Sequence, residues 1–321
     1  MAVTNNAAPS RLGQINKAGD DKALFLKKFS GEVLTTFETV CVMKDKQLVK
    51  TIDSGKSAQF PVTGTASAAY HIPGQNILEG DNGLLSSIGK NEKVIAIDGL
   101  LTASAFIANI DEAMNHYDTR SIYTTELGRQ LAYAWDRNSL QAAVLAARAA
   151  ATITGGKSGT VLAKGATVAT TGSVLAAAIF EAAQNLDEKD VPAEDRFAVV
   201  RPAHYYLLAQ TTSVINKDWG GSGVYADGSV LKIAGITIVK SNFLPNSNIA
   251  AVTGQNNTYS GDFSNTVALV FQKGAIGTVK LLDLATESDY LTTHQGTLVV
   301  SKYAVGTGIL RPECAVEITK A

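Results

Sequence analysis

The residues most suggestive of chemistry are Gly55-Lys56-Ser57, three letters shared with loops that bind nucleotide phosphates. Such a loop needs the pattern GxxxxGK[ST], because its first glycine opens a nest of backbone N–H groups around the phosphates. Lys50 occupies that glycine position. The residues after Ser57 alternate as in a strand and include Pro61, whereas a phosphate loop continues into a helix. We therefore predict a strand here and no nucleotide site.

A second stretch of this kind, TGGKSG at 154–159, places Ala151 where the first glycine is required. The patterns GxGxxG, GxSxG and HExxH, which mark dinucleotide sites, serine nucleophiles and zinc proteases, do not occur in the sequence. The motif search therefore favours none of these enzyme classes.

The four histidines lie in separate segments, without another histidine or a cysteine at metal-ligand spacing: His71, His116, His204 and His294. Cys41 and Cys314 lie in apolar stretches, which predicts two buried free thiols rather than a disulfide. A Cys–His nucleophile pair stays open as an alternative, although neither cysteine stands at a glycine-lined turn or a helix start. We expect no metal and no cofactor.

Three acidic residues near the C-terminus could in principle hold a hard cation: Asp283, Glu287 and Asp289. Their spacing matches no calcium loop, so we predict a solvated charged turn. A chain of 321 residues without a recognisable catalytic site favours a structural protein over an enzyme.

The composition is poor in charge, with 18% charged and 45% hydrophobic residues. Two explanations fit equally: a surface covered by neighbouring subunits, or an alanine-rich core. The net charge of −1 excludes a global basic footprint for tight nucleic-acid binding. The N-terminus has no apolar signal core, and the apolar run at 100–110 is too short to span a membrane, so we expect a soluble protein made in a cytoplasm.

The chain begins with a polar arm over residues 1–21, followed by a short amphipathic helix in 21–38. Two strand-like stretches, 47–62 and 91–99, then enclose an excursion rich in turn residues. A hairpin of this length has no core of its own. We expect it to pack on something outside its own subunit.

The strongest helical pattern follows Asp118 and continues for about thirty residues, or roughly 45 Å. Its polar face is expected to carry Glu126, Arg129, Asp136 and Arg137. Beyond a Gly/Thr-rich connection, the pattern predicts further elements in order: a helix from Ser173, a strand at 196–200, a helix from Pro202, a strand–turn–strand at 231–245, and three final strands.

Several long blocks closely resemble the major capsid proteins of T-seven-like short-tailed bacteriophages. They include TIDSGKSAQFPVTGTASAAYHIPGQNI, NEKVIAIDGLLTASAFIANIDEAMNHYDTRSIYTTELG, GAIGTVKLLDLA and SKYAVGTGILRPE. The blocks cover most of 21–130 and 274–313, whereas about 150–260 matches poorly in wording.

The resemblance implies an α+β fold of the Hong Kong 97 type, found in tailed-phage capsids. Its expected parts are an N-terminal arm (1–46), an extended loop hairpin (47–98), a peripheral domain (99–165 and 265–310) and an axial domain (166–264 and 311–321). The peripheral domain would hold the long spine helix at about 119–150.

The function implied by the resemblance is self-assembly, as pentamers and hexamers, into an icosahedral head that encloses packaged double-stranded DNA. Expected partners are other copies of the chain, a scaffolding protein, the portal vertex and, where present, a decoration protein, with non-specific DNA contact and no membrane. Assembly is expected in the bacterial cytoplasm, and no catalysis is expected. An encapsulin-like shell of a bacterial compartment is the alternative.

The extended loop is the expected place of intersubunit contact, because its apolar side chains have no internal partner. The candidate contact residues are Tyr70, Ile72, Ile77, Leu78, Leu84 and Leu85.

Overall fold

The computed structural model of the chain describes residues 33, 35–38, 40–64, 66–74, 76–78, 88–110, 119–211 and 232–321. The described residues form two compact units. The first contains those up to Lys44 together with the described parts of Gly99–Asp136 and Leu281–Val305. The second contains the described parts of Asp45–Asp98, Arg137–Lys280 and Gly306–Ala321. Most of the predicted N-terminal arm (1–46) and most of the short segment before the long helix lie outside the described residues. Of the short helix predicted over 21–38, residues 33 and 35–38 are described and are helical.

The α-helices described from end to end are α1 (Thr119–Arg148), α2 (Gly172–Glu188) and α3 (Pro202–Ala209), and residues 33, 35–38 and 40 are also helical. The strands there are β1 (Leu48–Thr51), β2 (Ser57–Thr63), β3 (Lys90–Ala96), β4 (Leu101–Ala108), β5 (Thr160–Ala163), β6 (Arg196–Val200), β7 (Lys232–Ile233), β8 (Ile236–Lys240), β9 (Asn248–Ile249), β10 (Gly261–Asp262), β11 (Thr266–Gln272), β12 (Ile276–Leu291), β13 (Gly296–Ile309) and β14 (Ala315–Thr319).

The second unit contains a six-stranded sheet with the order β5-β14-β11-β6-β8-β7. Its central strands are covered on both faces: β14 is buried throughout, and β11 is buried except at its last residue. Such strands lack the alternation of apolar and polar residues, as TVALVFQ does; AVEIT is apolar except for Glu317 and Thr319, which are buried too. The predicted helix from Ser173, the strand at 196–200, the helix from Pro202 and the strand–turn–strand are all confirmed.

A four-stranded sheet has the order β1-β12-β13-β4. The C-terminal region thus contains four strands, β11 to β14, rather than the predicted three. The prediction of a charged turn at Asp283, Glu287 and Asp289 is wrong, because all three lie within β12. Their even spacing fits the two-residue period of a strand, which places them on one face. Glu287 there pairs with Lys302 at 2.8 Å.

The long helix α1 confirms the predicted spine, ending two residues before the expected boundary. One prediction about its polar face is wrong: Asp136 is fully buried. Its carboxylate accepts hydrogen bonds from the backbone nitrogens of Val42 and Met43, both at 2.9 Å at their shortest, which compensates the cost of burial. Among the described residues, no helix is both long and apolar enough to cross a membrane.

Candidate intersubunit contact surface

The Gly55-Lys56-Ser57 stretch leads from β1 into β2, at the base of a β-hairpin. Gly55 adopts a left-handed φ of 109°, and Ser57 begins strand β2. The backbone nitrogen of Ile97 donates to the Lys56 carbonyl at 2.8 Å, which closes the base of the hairpin. The predicted strand is confirmed from Ser57 onward, whereas residues 52–56, including Gly55 and Lys56, separate β1 from β2 and are not in a strand.

Lys50, which stands where a phosphate loop needs its first glycine, instead folds onto the same hairpin. Its ammonium donates to the Gln59 carbonyl at 3.3 Å and lies 5.2 Å from the centre of the Phe60 ring. The ring face attracts the cation. These contacts hold β1 against β2.

The hairpin itself consists of β2 and β3, paired antiparallel from Ser57↔Ala96 at the base to Thr63↔Lys90. Its base is buried, with Ala58 5% and Ile95 1% exposed. Farther out, Gly64 and Gly89 allow the Ile153 side chain to approach the two strands. Asn91 also donates to the Thr152 carbonyl at 2.6 Å. The hairpin therefore rests on the segment that follows α1.

Beyond β2, every described residue from 66 to 78 is exposed. The exposed fractions are 100% for Tyr70, 66% for Ile72, 53% for Ile77 and 77% for Leu78. Leu84 and Leu85, the other two predicted contact residues, lie outside the described residues. The four described side chains thus form an apolar surface, which we name the hairpin tip.

A carboxylate that the sequence did not single out lies where β3 leaves the hairpin. Asp98 accepts hydrogen bonds from the backbone nitrogens of Asn256 and Asn257, at 2.7 and 3.1 Å, and from the Tyr259 hydroxyl at 2.7 Å. Burial, with the Asp98 charge next, raises the pKa of Tyr259 far above its ordinary value. No sequence pattern could have revealed this cluster, since Asp98 lies about 160 positions before its three partners.

His116, one of the residues considered for catalysis, lies outside the described residues, and both cysteines have pKa values shifted away from the reactive thiolate. Cys41 donates to Asp136 at 3.1 Å, and burial, followed by that carboxylate, raises the pKa of its thiol strongly. Burial also raises the pKa of Cys314 to about 11. Burial lowers the pKa of His204. Among the described residues, no three His, Cys, Asp or Glu side chains are grouped to hold a metal ion.

A mixed helix-and-sheet body with a long spine helix and an extended hairpin without its own core is the architecture of a tailed-phage coat subunit. A chain in the capsid of cyanophage P-SCSP1u shares this fold with a TM-score of 0.80 and 45% identity, over 98% of this chain and 99% of that chain. A chain in the mature capsid of bacteriophage PhiM1 shares it with a TM-score of 0.71 and 19% identity, over 87% and 86%.

The sequence comparisons agree. The family model of Gp10A-like major capsid proteins matches residues 59–319, and the chain belongs to this family. The major capsid protein of Escherichia phage T7 is 36% identical over 93% of this chain and 92% of that protein. These findings confirm the resemblance seen in the sequence and favour a phage capsid over the encapsulin-like alternative.

Proposed function

We propose that this chain tiles an icosahedral phage head as pentamers and hexamers, and that the hairpin tip is the contact between neighbouring subunits. The observation that carries the proposal is the exposure of Tyr70, Ile72, Ile77 and Leu78 in the outer part of the hairpin. A soluble monomer has no use for such a surface. Burying each of these side chains on a neighbour would contribute roughly 1.5–3 kcal/mol.

The same contact repeats around every capsomer, so a modest energy per subunit is multiplied over the shell. Heterologous contacts close a shell only when their geometry is fixed. The packed base of the hairpin, with Ile95 1% exposed, supports a fixed geometry, and Leu84 and Leu85 remain part of the predicted contact.

The roles of the other parts of the chain and its partners follow the Hong Kong 97-type arrangement. Residues 1–46 act as the N-terminal arm and 47–98 as the extended loop, while 99–165 with 265–310 and 166–264 with 311–321 act as the peripheral and axial domains. The partners are a scaffolding protein, the portal vertex and packaged DNA, with assembly in the cytoplasm of a bacterial host. The net charge of −1 suits a wall that contains DNA without gripping it. The chain has no catalytic role.

The test is electron microscopy of the protein produced with its scaffolding protein in bacteria. The proposal predicts closed, isometric shells with pentameric and hexameric capsomers. Monodisperse soluble monomers at high concentration, or open filaments only, would contradict it.

A further inference from the structure

The base of the hairpin is tied to a distant segment of the chain through one carboxylate. Both oxygens of Asp98 are used: Oδ1 accepts from the backbone nitrogens of Asn256 and Asn257, and Oδ2 accepts from the Tyr259 hydroxyl. The Asn257 side-chain amide adds a fourth donor at 3.0 Å. Charge-assisted hydrogen bonds of this kind are stronger than neutral ones and restrict geometry more tightly.

The two asparagines also hold the backbone that enters Asp98. Asn257 donates to the Ala96 carbonyl at 2.7 Å and accepts from the Ala96 nitrogen at 3.3 Å, so its side chain pairs with the end of β3 as a neighbouring strand would. Asn256 donates to the Ile97 carbonyl at 2.5 Å. Ala96, the last residue of β3, and the two residues after it are therefore all hydrogen-bonded to one short segment, residues 256–259.

A third part of the chain joins through Tyr259, which is 1% exposed. The backbone nitrogen of Thr307, in β13, donates to the Tyr259 hydroxyl at 2.8 Å. Beside it, a Cβ on Gly306 would stand 1.8 Å from the Ala96 carbonyl oxygen, so only glycine permits this approach. We name the group Asp98, Asn256, Asn257 and Tyr259 the base clamp.

The clamp contrasts with the outer part of the hairpin, where every described residue from 66 to 78 is exposed. The paired strands alone extend for about 23 Å at 3.3 Å per residue, so a rotation of about 10° at the base would displace the tip by about 4 Å. A displacement of that size separates side chains from the pockets they fill, because apolar contacts are lost within about 1 Å. The angle at which the hairpin leaves its base therefore determines whether the hairpin tip reaches its contact on the neighbouring subunit.

We propose that Asp98 is a positioning residue for shell assembly: through the base clamp it sets the direction in which the hairpin leaves the subunit. This inference rests on the proposed role of the hairpin tip as the intersubunit contact. Loss of the clamp leaves the tip and the body of the subunit intact, and the contact geometry becomes variable. Subunits then associate without the fixed curvature that closes a shell.

The experiment compares Asp98→Ala with Asp53→Ala, a change at an exposed aspartate of the same hairpin base. Both are produced with the scaffolding protein, and their products are sorted by electron microscopy into closed shells and open or irregular assemblies. Asp98→Ala is expected to shift the products from closed shells to open or irregular ones, and Asp53→Ala is expected to leave them unchanged. Hydrogen exchange of the unassembled subunits should show lost protection at the Asn256 and Asn257 amides, which donate to Asp98, with α1 unchanged.

Two further variants separate positioning from stability. Tyr259→Phe removes two hydrogen bonds, the one to Asp98 and the one from the Thr307 nitrogen, and keeps the ring packed, so it should raise the share of irregular particles even if Asp98→Ala is insoluble. Glu317→Gln weakens the same unit elsewhere, at a buried carboxylate 2.6 Å from Arg148, and should keep closed shells. Asp98→Asn retains an acceptor for the backbone amides of Asn256 and Asn257. It should therefore form closed shells in most of the wild-type proportion.

The inference is overturned if soluble Asp98→Ala subunits, with the Asn256 and Asn257 amides deprotected, still build closed shells in wild-type proportion. It is also overturned if Glu317→Gln loses closed shells to the same extent, since stability alone would then explain the effect. A separate variant distinguishes failure of the proposed function: if shells form after the hairpin tip is replaced, the tip is not the contact. If tip replacement abolishes shells and clamp variants do not, only the present inference fails.

Discussion

The carboxylate of Asp136, fully buried in the middle of α1, lies 2.9 Å from the backbone nitrogen of Met43. Val42 donates its backbone nitrogen to the same group, and the Cys41 thiol donates at 3.1 Å. A buried charge with three donors is stabilised by hydrogen bonds that water would otherwise supply. Asp136 thereby ties residues 41–43 to the long helix α1.

Replacement of Asp136 by alanine should destabilise the subunit. It leaves the Val42 and Met43 amides and the Cys41 thiol without their acceptor in a buried site, so we expect a loss of about 3 kcal/mol in the free energy of unfolding. The measurement is urea unfolding of the unassembled subunit, followed by circular dichroism. Glu126→Ala, an exposed position on the same helix, is the control and should change stability by about 0.5 kcal/mol or less. Equal effects of the two changes would contradict the buried anchor.

Glu317→Gln should lower the free energy of unfolding by more than the same change in an exposed ion pair does. Arg148, the last residue of α1, donates to the two carboxylate oxygens of buried Glu317 at 2.6 and 2.7 Å, and Thr266 donates at 2.5 Å. Because the Arg148 side chain is 30% exposed and can partly rehydrate, we expect a loss of about 2–3 kcal/mol rather than the full cost of an orphaned buried charge.

The control for that pair is Glu126→Gln, which breaks the exposed contact between Glu126 and Arg129 at 3.0 Å on the same helix. Solvent screens this pair, so the expected loss is about 0.5 kcal/mol or less. Chemical unfolding of both variants gives the comparison. A smaller loss for Glu317→Gln than for Glu126→Gln would show that the buried pair does not hold the end of the helix.

Both cysteines should resist alkylation in the folded protein. Burial raises the pKa of Cys314 to about 11 and raises that of Cys41 further, with Asp136 adding to the effect, so little thiolate exists near neutral pH. Iodoacetamide labelling followed by mass spectrometry should find both thiols unmodified in native subunits and modified in urea. Rapid native labelling of Cys314, which is fully buried, would refute this arrangement.

The base clamp predicts a loss of stability in alkaline solution. The folded state raises the pKa of Tyr259 above its ordinary value, chiefly through burial and then through the Asp98 charge. The stabilisation is complete below the unfolded-state pKa of about 10 and is lost as the pH rises above it, because only the unfolded chain then releases the proton. Unfolding free energies measured on both sides of that pH should fall less steeply in Tyr259→Phe than in the wild type. Identical slopes would contradict a buried, protonated Tyr259.

Local pattern predicted the elements whose residues are neighbours in sequence. The alternation around Phe60 and Val62 predicted the hairpin strand, and the spacing of Leu127, Leu131 and Trp135 predicted the spine helix. The charged residues of β12 were misjudged because acidic side chains are rare in strands, although their even spacing already matched the strand period.

Contacts between distant segments could not be predicted in this way. Asp136 has the polarity of a surface residue, and only the approach of Met43 explains its burial. Asp98 and Asn257 likewise carry no local signal, because their meeting depends on the fold. The exposure of the hairpin tip, in contrast, could be predicted from the local sequence. Tyr70 and Leu78 are apolar side chains in a turn-rich stretch, and the neighbouring sequence predicts no helix or strand that would cover them.

The most direct test of the account is to replace residues 66–87, which include the hairpin tip, by a short Gly/Ser linker. The variant and the wild type are produced with the scaffolding protein, and electron microscopy counts closed shells while circular dichroism measures helix content. The account predicts a soluble subunit with near-normal helix content that builds no closed shells. Normal shells from this variant, or an insoluble and unfolded product, would contradict the assignment of the hairpin tip to contact between subunits.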